Sequence, residues 1–167
     1  MGRHRKHAPV QAAMCRPASP PVWRRILTLP LVPEAVRQTR RDTAAALSEY
    51  GLSPDSAFAG AVLLVVSELV SNAVRHAAGN SATVDVTFAI AAERLVIGVA
   101  DQDPHLPDLA PQAMGEGLRT VSELTAAYGG ALSVEAAVHS CGKTMLVWFA
   151  LPDDQGLYGR RSHSRAL

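Results

Sequence analysis

Between residues 65 and 77 the chain reads VVSELVSNAVRHA, with apolar positions at the three- and four-residue spacing of an amphipathic helix. Val62, Val66, Leu69, Val70, Ala73 and Ala77 fall on one arc of that helix. Glu68, Asn72, Arg75 and His76 gather on the other, within roughly 100° at 100° per residue. Such a helix buries one stripe and presents a carboxylate, an amide and two nitrogen bases from the other. Taken alone, this is also how an ordinary solvated helix face looks.

The surrounding pattern supplies the other elements. Trp23 to Leu29 reads as a strand, and Pro33 opens a helix that runs to Tyr50 and stops at Gly51. Ser53, Pro54 and Asp55 are expected to cap and begin the second helix, which continues to Ala78 and ends at Gly79-Asn80. Two strands, Ala82 to Ala89 and Leu95 to Ala100, follow, joined by a turn over Ala91 to Arg94. The stretch Asp101 to Met114 holds three prolines and reads as a loop. Gly115-Glu116-Gly117, a helix from Leu118 to Ala127, a Gly129-Gly130 break, and strands Leu132 to Ala137 and Thr144 to Leu151 complete the pattern. Strand pairs with short turns and helices clustered in sequence predict an α+β two-layer sandwich, its mixed, mostly antiparallel sheet covered by helices. A doubly wound fold needs strict strand and helix alternation, which is missing.

Composition narrows the setting. At 167 residues and 48% apolar content the chain suits one domain with its own core. Residues 1 to 24 carry Arg3, Arg5, Lys6, Arg16 and Arg24, no acidic residue and several prolines, and are expected to be a disordered basic arm. That arm suits either a solubilising tail, the favoured reading, or contact with nucleic acid or an acidic partner. The domain is expected over 25 to 152, with a flexible tail over 153 to 167. A net charge of +1 gives no reason to expect nucleic acid as a direct partner. Cys15 and Cys141, with His139 near the second, fit neither a disulfide framework nor a zinc site and suit a reducing cytoplasm. No uninterrupted apolar run reaches the ~18 residues of a membrane span, since Ser67 and Glu68 break the longest. No secretory h-region follows the basic start, so a cytoplasmic location is expected.

Three further features follow the polar helix face: Asp101 at a strand end, the GEGLRTV turn into a helix, and Gly142-Lys143-Thr144 opening the last strand. A strand-terminal Asp is often a turn former, GxG is often a hinge, and this GKT lacks the upstream glycines of a phosphate-binding loop. As a set with SELVSNAVRHA, they resemble the ATP-binding fold shared by gyrase, the heat-shock chaperone, histidine kinases and MutL, called GHKL. Within it, SELVSNAVRHA, GEGLRTV and GKTMLVWFAL look most like the short, stand-alone actinobacterial anti-sigma-factor serine/threonine kinases, over roughly residues 25 to 151.

The resemblance implies roles. Asn72 would give an oxygen to Mg²⁺, a hard cation bridging nucleotide phosphates, and Glu68, one turn earlier, would act as general base. Arg75 and His76 would lie near the phosphates. Asp101 would accept from the adenine amino group, with Thr144 supporting that contact through its hydroxyl. Gly115 and Gly117 would let backbone amides approach the phosphates at a helix N-terminus, beside Leu118 and with Arg119 in the first turn. The chain departs from the wider superfamily at DQDPHLPD, where Asp103 and Pro104 replace small residues.

Two functions follow from the resemblance. One is an ATP- and Mg²⁺-dependent protein kinase that binds a sigma factor and phosphorylates an anti-anti-sigma protein on serine or threonine, with a homodimer compatible with the family. The other is a non-catalytic interaction module of the same fold. A histidine kinase fits poorly, because no helix pair for a phosphoacceptor histidine is evident.

Overall fold

The structure, a computed structural model, describes residues 23–91, 93–137 and 141–152. Most of the basic arm, the C-terminal tail, Cys15 and His139 lie outside the described residues. The elements run β1 (Trp23–Pro30), α1 (Glu34–Tyr50), α2 (Ala57–His76), β2 (Thr83–Ala91), β3 (Arg94–Asp101), α3 (Glu116–Ala127), β4 (Ala131–Ala136) and β5 (Lys143–Ala150).

The expected α+β sandwich is the observed one, with one refinement. The five strands stand in the order β1-β2-β3-β5-β4, and all four pairings are antiparallel rather than mixed. The reason is insertion: the β4–β5 hairpin turns β5 inward against β3, so β4, which runs parallel to β3, never pairs with it.

Local chemistry sets the element ends. Gly51 takes a left-handed φ of 96° after α1, and Leu52 N–H then donates to Leu47 O at 2.9 Å. Carbonyls at the helix end are satisfied this way. Ser56, rather than the Ser53–Asp55 stretch, caps α2, its hydroxyl accepting from Ala59 N–H at 3.1 Å. Ser53 to Ser56 form the turn before it. α2 ends at His76 rather than Ala78, and α3 begins at Glu116 rather than Leu118. β1 takes in Trp23 and Arg24, which pair with Ile90 and Ala89, so the arm boundary at 24 falls inside a strand.

The core lies between the helices and one sheet face. Val62, Val65, Val66 and Val70 of α2 have no exposure, nor do Ile97 of β3 and Phe149 of β5. Phe58, Tyr128 and Phe149 meet edge to face. Despite Ser67 and Glu68, α2 has the length and composition of a membrane-crossing helix. Its apolar side chains are here the centre of the core.

Candidate functional site

Packing the apolar stripe of α2 into the core turns its other arc outward, as the periodicity predicts. Glu68 and Asn72 are half-buried; Arg75 and His76 are exposed. All four line a cleft of about 630 Å³ between α2, the 102–115 loop and the start of α3. Gly115, Gly117 and Leu118 contribute from the α3 end, Asp103 and His105 from the loop, and Lys143 from β5. Thus seven of the nine expected site residues reach one cavity, of a size suited to a small-molecule ligand.

Two expected positions do not reach the cleft wall. Side chains alternate along a strand, and the register pairs Ala100 with Thr144 and Asp101 with Lys143. Lys143 is therefore in phase with buried Met145, Val147 and Phe149, whereas Thr144 sits with Gly98 and Leu146 on the opposite face. Thr144 cannot support a contact made by Asp101, because the sheet separates them. Asp101 is on the correct face but recessed from the lining, its side chain only 2% exposed. Arg119 is also away from the lining and donates to Met114 O at 3.4 Å.

Two of the lining residues, Asp103 and Lys143, join Asp101 in a buried ionic network. Lys143 Nζ donates to Asp101 Oδ1 at 2.9 Å, to Asp103 Oδ2 at 3.1 Å and to Asp103 O at 3.2 Å. Asp101 Oδ1 also accepts from Asp103 N–H at 2.9 Å, and Asp103 Oδ1 accepts from Asn80 Nδ2 at 3.0 Å. The Asn80 amide and the Lys143 ammonium hold the Asp103 carboxyl below its ordinary value, against the opposing pull of burial. The sequence already marks Lys143 and Asp103. DQD departs from the expected small residues, and the alternation in KTMLVWF puts the lysine on the core side.

Gly117 has a further reason in the structure. A Cβ there would lie 2.5 Å from Glu68 Oε2 and 3.8 Å from Arg75 Nη2. The missing side chain makes room for the Glu68 carboxylate against the first turn of α3. Gly115, extended at φ −65°, faces open space, so the cleft is roomy at that end. Among the described residues, no protein group hydrogen-bonds or ion-pairs with the Glu68 or Asn72 side chains. Nor is there a cluster of three or more His, Cys, Asp or Glu able to cage a metal. One amide oxygen beside one carboxylate suits Mg²⁺, which keeps most of its waters and takes its other ligands from phosphates.

A family profile described as Histidine kinase-like ATPase domain matches residues 29–135, well over half of the chain. The match spans Glu68, Asn72, Asp101 and Gly117 and ends before Lys143. No curated protein sequence matches. Among solved structures the chain is similar to the histidine kinase domain of the blue-light-activated histidine kinase from Erythrobacter litoralis EL346. The TM-score is 0.51 at 22% identity, over 79% of this chain and 66% of that one. Full-length ShkA in complex with AMPPNP aligns at a TM-score of 0.46 and 22% identity, over 75% of this chain and 32% of that one. The Acinetobacter baumannii histidine kinase AdeS aligns at 0.48 and 11%, over 77% and 68%. The chain thus spans about two thirds and one third of the first two structures.

Proposed function

Because the chain belongs to the histidine kinase-like ATPase domain family, an ATP-binding domain, we propose that it is a protein serine/threonine kinase using the α2–α3 cleft. In this reading it binds ATP with Mg²⁺, phosphorylates an anti-anti-sigma protein and sequesters a sigma factor. The observation that carries the reading is the pair Glu68 and Asn72: one helical turn apart, side by side in the cleft, and without protein partners among the described residues.

The chemistry is divided between them. Asn72 would hold the metal, which when bound would supply charge neutralisation at the phosphates. Glu68 takes the proton from the acceptor hydroxyl, whose oxygen forms the new bond to the γ-phosphorus as the bond to the bridging oxygen of ADP breaks. Arg75 and His76 are placed near the developing negative charge, and the α3 N-terminus adds positive potential at that end. Asp101, at the opposite end, accepts from the adenine amino group.

The test is transfer of labelled γ-phosphate from ATP to candidate small anti-anti-sigma proteins, comparing the wild type with Glu68→Gln. Expected is serine or threonine labelling by the wild type and a loss of at least about 100-fold in the variant, the usual scale for a general base. No labelling of any such partner, with ATP still bound, would favour a non-catalytic interaction module.

A further inference from the structure

The lysine of GKT takes no part in the scheme above, although it is 95% buried and lies at the base end of the cleft. An ammonium has three N–H donors. Here they are matched by three oxygens: Asp101 Oδ1, Asp103 Oδ2 and Asp103 O. No donor is left for a phosphate, so Lys143 does not act as the lysine of a phosphate loop acts. The same contacts saturate Asp101 Oδ1, which accepts from Lys143 and from Asp103 N–H. Asp101 Oδ2 has no protein donor among the described residues, and since none of their fully buried side-chain oxygens lacks a partner, it keeps some access from outside. Asp101, Asp103 and Lys143 together carry one excess negative charge. That charge repels a phosphate and favours a hydrogen-bond donor at this end.

We propose that Lys143 is a positioning residue for base recognition, fixing Asp101 through Oδ1 so that Oδ2 is offered to the exocyclic amino group of a purine. The inference rests on nucleotide binding in the cleft. It adds to the Asp101–base contact of that reading the residue that holds the carboxylate in place. Only the carboxylate touches the base. Lys143 acts through it.

Base discrimination separates this role from a merely structural one. Inosine triphosphate keeps the phosphates and ribose of ATP but replaces the 6-amino donor with a carbonyl. Wild-type protein should bind ATP at least about tenfold more tightly than inosine triphosphate, because a buried acceptor rejects a ligand that cannot donate to it. In Lys143→Met, and in Asp101→Asn, that ratio should fall to within about twofold of one, each variant's fold being checked by its melting curve. Should Lys143→Met not fold, Lys143→Met/Asp103→Asn keeps the net charge of the network while removing the lysine anchor, and the same collapse is expected. A variant that weakens both nucleotides equally and keeps the ratio overturns the proposal, as does a wild type that binds the two alike; nucleotide binding itself would stand in either case. A wild type that binds neither nucleotide overturns both.

Discussion

A single methyl at position 117 tests how Glu68 is held. In Gly117→Ala the new Cβ would lie 2.5 Å from Glu68 Oε2, so the carboxylate must swing away. Phosphoryl transfer depends on positioning and should fall by about 100-fold, while ATP affinity changes far less, as parallel transfer and titration assays would read. Equal losses in both would mean that the α3 turn, rather than Glu68, had been displaced. Asp103 gives a pH dependence whose sign follows from its surroundings. Its folded carboxyl is held below the ordinary value of 3.8 by Asn80 and Lys143. Its contribution to stability is therefore present above that value and lost as pH falls through the lower folded one. Melting temperatures between pH 5 and pH 3 should fall less steeply for Asp103→Asn than for the wild type.

At the scale of elements, the helices rest on identifiable residues. Gly51 ends α1 at φ 96°, a conformation disfavoured for residues with a Cβ. Gly51→Ala should lower stability by about 1 kcal/mol in chemical denaturation. Leu69, 1% exposed on the inner face of α2, should cost about 2–5 kcal/mol as Leu69→Ala. The α2 pattern was legible because burial on one side and solvent on the other impose the 3.6-residue period directly. Its boundaries were less so: Ser53 and Ser56 are both good cap residues, and only the backbone path decides which hydroxyl meets an N–H. The last strand marks the clearest limit. Assigning Thr144 to the Asp101 side followed a motif position, whereas the alternation Lys143, Met145, Val147, Phe149 already placed lysine there. One residue of register reverses the face.

For the whole molecule, the histidine kinase-like ATPase family and the two-layer architecture were legible from motif order and strand pairing. The antiparallel insertion of β5 between β3 and β4 was not, since hydrophobic patterns fix which face of a strand is buried but not its neighbours. That insertion is what carries Lys143 across to Asp101, pairing the end of β3 with the start of β5. The outer sheet face stays open, with Ile26 52% exposed and Arg94 lying over Trp148 at 4.4 Å from the ring centroid. The polar side chains that line the cleft lie on the helical side, toward the C-terminal half of α2. Calorimetric titration of the full chain with ATP, with and without Mg²⁺, for the wild type and Asn72→Ala, tests that placement most directly. Saturable one-to-one binding is expected, weakened at least about tenfold by either the substitution or omission of the metal. No saturation at millimolar ATP, or an Asn72→Ala protein that binds ATP–Mg²⁺ as tightly as the wild type, would contradict an ATP site in the α2–α3 cleft.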